Sequence, residues 1–141
     1  MPRCAAAGIL FCSLATAGLA AASEVRVSSF GCDREDSTRF LQAAFDSGAR
    51  TVVVDRCAGP WVAEPLVVRS NTTVLFAEDV ELVAKRGAFR AVRGDCLLTL
   101  PCVTNVTLLG MGRGATLWMR KEDYRREPYA FSEWRHGVSV L

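Results

Sequence analysis

Between Ser70 and Met119 the chain carries one pattern twice, SNTTVLFAEDVELVA and then VTNVTLLGMGRGATLWM. Each copy has an Asn, a Thr within two residues, an apolar β-favouring run, a short break with Gly or acidic residues, and a second apolar run. The asparagines, Asn71 and Asn105, are 34 residues apart, and so are the second runs at Glu81–Ala84 and Ala115–Trp118. A further run precedes each copy, at Leu66–Val68 and Leu97–Leu100. Each unit therefore predicts three short strands in a fixed order. Such units stack as turns of a solenoid, because no single turn buries its apolar face alone.

The first residues stand outside that pattern. Arg3 supplies a positive start, Ala5 to Leu19 an apolar stretch, and Ala20-Ala21-Ala22 a small-residue cleavage site, so residues 1–22 read as a secretory signal peptide. A membrane anchor would need about 20 strongly apolar residues, and this run contains Ser13, Thr16 and Gly18. The reading places the protein outside the cell or in the periplasm, with no membrane attachment after cleavage. Losing Arg3 takes the formal charge from +2 to +1. Near neutrality there is no electrostatic case for nucleic acid, which calls for clustered basic charge. Half of the residues are hydrophobic and 23% charged, which excludes a disordered chain.

Of six cysteines, Cys4 and Cys12 fall in the leader. Cys32, Cys57, Cys96 and Cys102 remain, and four cysteines in an exported chain point to two disulfides with three possible connectivities. We favour Cys32 with Cys57 and Cys96 with Cys102, since each pair flanks one excursion of the chain. A zinc site is the rival, but no C-x-x-C spacing exists and the one His lies far away.

Glu24 to Phe30 predicts a short edge strand. Asp36 or Ser37 is placed to cap a helix, in which Phe40, Leu41, Ala44 and Phe45 share one face opposite Arg39, Gln42 and Asp46. Gly48 ends it. So short a helix needs an apolar support beneath that face. Thr51 to Asp55 predicts a strand, and Cys57 to Pro65, with Gly59, Pro60 and Pro65, a loop around Trp61. Lys85 to Asp95 and Arg120 to Arg135 are polar excursions, and the chain reaches Leu141 within an alternating run. An open strand at a solenoid end exposes unpaired backbone groups, so we expect an N-terminal part of a longer protein.

The stretch Glu35-Asp36-Ser37-Thr38-Arg39-Phe40-Leu41-Gln42-Ala43-Ala44-Phe45, with Gly48 and Thr51–Val54, resembles the opening of pectin-lyase-like right-handed parallel β-helix proteins. Those typically read D-D-T, a helix with I-Q-A-A, a Gly and a valine-rich strand. Val67–Val74 and Gly112–Leu117 are similar to early coils of polygalacturonase and rhamnogalacturonase relatives. The resemblance implies an all-β fold, a right-handed parallel β-helix whose N-terminal coils are capped by a short amphipathic α-helix. It further implies a polysaccharide partner, uronate-containing, with hydrolase or lyase chemistry on later coils. By resemblance to polygalacturonases that chemistry is inverting hydrolysis by carboxylates ~6.5 to 9.5 Å apart. The family's N-T-D, D-D, G-H-G and R-I-K motifs do not occur in these residues, so no catalytic residue is assigned. The alternative is a non-catalytic extracellular solenoid for adhesion or structure.

The best binding candidate is the excursion 120–135. Tyr124, Arg125, Tyr129, Trp134, Arg135 and His136 combine rings that stack on sugars with cations that pair with uronates. The competing reading packs Tyr124, Tyr129 and Trp134 against the scaffold, and gives His136 a structural role for want of a partner. Glu78, Asp79 and Glu81 bring Ca²⁺ into consideration, against a solvated turn between strands. Gly110–Gly114 superficially suggests a phosphate loop, but without a following Lys-Ser/Thr it reads as a tight corner. Asn71-Thr72-Thr73 and Asn105-Val106-Thr107 are glycosylation sequons in a host that glycosylates, and otherwise corner residues whose side chains satisfy the backbone.

Overall fold

The computed structural model of the chain describes residues 23–90, 95–129 and 135–141. The leader expected over 1–22 lies outside the described residues, as does Trp134. The short β-branched runs become strands: β1 (Glu24–Arg26), β2 (Thr51–Val54), β3 (Trp61–Ala63), β4 (Leu66–Val67), β5 (Thr73–Phe76), β6 (Glu81–Ala84), β7 (Leu98–Leu100), β8 (Thr107–Gly110), β9 (Thr116–Trp118) and β10 (Val138–Val140). Helix α1 spans Thr38–Asp46. The strands form three parallel sheets, ordered β1-β2-β5-β8, β3-β6-β9 and β4-β7-β10. Each repeated unit thus gives one strand to each sheet.

Alternation decides what the sheets bury. Val52, Val54, Val74 and Phe76 from the first sheet, Trp61, Ala63, Leu82 and Ala84 from the second, and Leu66, Leu98 and Leu100 from the third join one apolar core. The corners stack as well. Asn71 and Asn105 both take a left-handed backbone (φ 61° and 55°), and Asn105 Nδ2 donates to Asn71 Oδ1 at 3.1 Å.

Four expectations need correction. The second runs are not matched at equal spacing: Glu81 pairs with Thr116, one residue beyond Ala115. The additional residue is absorbed at the Gly110–Gly114 corner, where Gly112 and Gly114 take positive φ that glycine tolerates. The loop expected around Trp61 contains β3, bounded by Pro60 and Pro65, which sit outside the ladder where their missing N–H costs nothing. The edge strand is shorter than 24–30, giving way to a 3₁₀ turn at Val27–Ser29. Finally, Cys32 bonds to Cys57 as expected, but no disulfide joins Cys96 to Cys102. The extended strand β7 lies between them, and an extended run carries its ends apart by about 3.3 Å per residue, whereas a disulfide needs Cα atoms within about 7 Å.

Helix α1 packs beside the early strands. It lies against β2, β3 and β4 and buries Leu41, Ala44 and Phe45, with Phe40 half-buried against the core. Asp36 caps it: Oδ1 accepts from Thr38 N (3.0 Å) and Thr38 Oγ1 (2.5 Å). Ser37 is diverted to Asp33 instead, donating from Oγ to its carbonyl and accepting from its N–H. Lys85 Nζ then ties Asp36 Oδ2 (2.5 Å) and Glu64 Oε1 (2.7 Å) to the end of β6. Burial acts to raise the Asp36 pKa, but bonds from Lys85 and Thr38 outweigh it and bring it to about 2.

Candidate functional site

The loop after β9 is held down from within. Five residues past the end of the strand the chain enters a 3₁₀ turn at Asp123–Arg125, which drives the Tyr124 ring inward. Its edge meets Phe89 (centroids 5.8 Å apart) and Tyr129 (5.0 Å), and its hydroxyl donates to the Lys85 carbonyl. Burial pushes that hydroxyl's pKa up. Arg135 is buried too, with its guanidinium carbon 5.3 Å from the Tyr124 ring centroid and Nε donating to the Phe89 carbonyl at 3.1 Å.

The six binding candidates therefore separate. Tyr124 and Arg135 are interior groups that anchor the loop, and Tyr129 is half-buried beside them. Arg125 is exposed and faces Glu122 at 3.6 Å. His136 is exposed and lines a cleft. Of the five that lie among the described residues, only His136 is placed at that cleft; Trp134 lies outside them.

The cleft, about 390 Å³, is bounded by Trp118, Arg120, Lys121, Glu122 and His136 over a floor that includes Leu117 and Met119. Register explains its aromatic wall. Val83 pairs with Trp118, and the flanking Leu82 and Ala84 belong to the core, so Trp118 occupies an outward position and is 56% exposed. Arg120 takes a left-handed backbone (φ 50°), which returns its guanidinium carbon to 5.8 Å from the Trp118 ring centroid. Its Nε is buried with no hydrogen-bond partner among the described residues. A buried donor without an acceptor costs about 1–3 kcal/mol.

Trp118 and Arg120 are not among the expected site residues: Trp118 falls in the second apolar run, and Arg120 opens the excursion whose named candidates begin at Tyr124. Carrying the alternation one residue further, with Leu117 in and Trp118 out, is the signal that identifies the tryptophan.

The acids considered for Ca²⁺ are otherwise engaged. Asp79 receives Arg113 (2.6 Å) and Arg56 (3.1 Å), Glu78 receives Arg113 (3.3 Å), and Glu81 is exposed at the start of β6. Among the described residues no three His, Cys, Asp or Glu side chains gather as a metal site. The glycine loop is a corner: Gly114 N donates to Met111 O, and Met111 N to Phe76 O, both at 2.8 Å. Comparison with protein-family models, with curated proteins and with solved structures found no match to this chain. Among the described residues no helix is long and apolar enough to cross a membrane.

Proposed function

We propose that this chain is the opening part of an exported, right-handed parallel β-helix that binds an acidic polysaccharide. The three parallel sheets with a helix beside the early strands support the winding, and the disulfide supports an oxidising compartment. The observation that carries the binding reading is the exposed Trp118 with the Arg120 guanidinium beside its ring at the cleft. An indole face stacks on a sugar ring, and a guanidinium takes a uronate carboxylate. Lys121 adds a second cation.

Affinity electrophoresis tests this. Migration should be retarded in gels containing polygalacturonate but not in gels containing an uncharged glucan, and Trp118→Ala and Arg120→Met should each remove most of the retardation. Equal retardation in both gels, or retention unchanged in both variants, refutes the reading.

A specific observation favours the non-catalytic alternative for these coils: Asp36, Asp46, Glu64, Glu78, Asp79 and Asp123 all hold Lys or Arg partners within 3.3 Å. Carboxylates so committed serve the scaffold. We assign no catalytic residue to these coils, and release of reducing ends from polygalacturonate by this chain would overturn that assignment.

A further inference from the structure

The corner between β4 and β5 carries a feature that polysaccharide binding does not use. Asn71 begins the sequon Asn71-Thr72-Thr73. It is exposed, outside any strand, and held at φ 61°. Its Oδ1 accepts from Asn105 Nδ2 at 3.1 Å, which orients the amide and leaves Asn71 Nδ2 uncommitted to that contact. Beside it opens a broad depression of about 570 Å³, polar in character, bounded by Phe45, Asp46, Arg50, Arg69 and Asn71 itself. The cleft at Trp118 lies elsewhere, beyond the end of β9 in another sheet.

We propose that Asn71 is an N-glycan acceptor. The co-reactant is a lipid diphosphate oligosaccharide. A bond forms between Asn71 Nδ2 and the anomeric carbon, the bond from that carbon to the diphosphate oxygen breaks, the amide gives up one proton, and the lipid diphosphate leaves with the electron pair. The exposed corner admits the sugar without moving a core residue, and the depression gives its first units room. Oδ1 keeps its bond from Asn105, so the stacked corner survives modification. Asn105, in the next sequon, donates its own Nδ2 to that bond and serves as the internal comparison.

The test is secretion of the full 141-residue chain behind a leader of a eukaryotic host, with intact mass measured on protein recovered from the medium before and after peptide N-glycosidase. We expect a glycan mass that the enzyme removes, and Asp at position 71 in the enzyme-treated peptide. Thr73→Ala, which leaves Asn71 and its corner in place, should lose one glycan's mass, as should Asn71→Gln, whereas Asn105→Gln should keep the glycan on Asn71. Secreted protein without an enzyme-sensitive mass, or a Thr73→Ala chain with the full mass and peptide 71 unmodified, overturns the proposal.

Discussion

The Gln42 side chain does for β4 what a neighbouring strand would do. β4 is the edge of its sheet, and an edge strand presents N–H and C=O groups that must find partners. Gln42 Nε2 donates to the Val67 carbonyl at 3.1 Å, and Gln42 Oε1 accepts from the Val67 N–H at 3.0 Å. One amide closes both halves of the ladder. Gln42→Met preserves length and helix propensity while removing both bonds. Each backbone group left unsatisfied costs about 1–3 kcal/mol when buried, and both residues are half-buried. Water therefore recovers part of each loss, leaving about 2 kcal/mol in all. For a domain of this size a loss of 1 kcal/mol lowers Tm by roughly 4 °C, so calorimetry of the full chain should show a drop of about 8 °C. Urea unfolding should show a lower midpoint with an unchanged slope. A Gln42→Met chain within 0.5 kcal/mol of the parent would show that the helix is held by its apolar face alone, and the edge-pairing argument would fail.

The Cys32–Cys57 bond closes a separation of 25 residues, for which chain entropy assigns about 3.5 kcal/mol. Cys32→Ser/Cys57→Ser should lose most of that by urea unfolding, and a loss below 1 kcal/mol would refute the entropic account. Asp36 titrates in the folded chain at about 2, below its ordinary 3.8. A depressed carboxyl stabilises above its unfolded pKa and loses that contribution as pH falls through its folded pKa, so the window runs from about pH 4 down to pH 2. Asp36→Asn should flatten the urea midpoint against pH within that window, and an unaltered acid limb would count against the Lys85–Asp36 pairing.

Much of the scaffold was legible because two independent signals agreed. The asparagine recurrence fixed the corners, and β-branched alternation fixed which side chains point inward, so β5 and β8 pair as their spacing implies. Where one signal stood alone, reading failed. Glycines at 110–114 can absorb a residue without leaving a compositional trace, which hid the slip of Glu81 to Thr116. Proline punctuation at Pro60 and Pro65 masked β3, although the residues between them alternate. Reading each cysteine pair as flanking one excursion suggested a Cys96–Cys102 bond, but strand β7 lies between those two residues. The excursion from Arg120 has no period, so nothing in the sequence distinguished an inward Tyr124 from an exposed one until the 3₁₀ turn fixed its direction.

That distinction carries into function. Inward positions are committed to one shared core, so substitution there is paid in stability. Outward positions such as Trp118 contribute little to that core, since the ring remains 56% exposed. Trp118→Ala should therefore reduce polygalacturonate retention while leaving Tm close to that of the parent, surface changes of this kind falling within about 0.5 kcal/mol. Tyr124→Ala, which removes a buried ring packed on Phe89 and Tyr129, should do the reverse of that separation and cost about 3–5 kcal/mol, as large aromatic truncations do. If Trp118→Ala unfolded the chain as readily as Tyr124→Ala, the indole would be a structural group, and the division between an inner scaffold and an outer binding face would not hold.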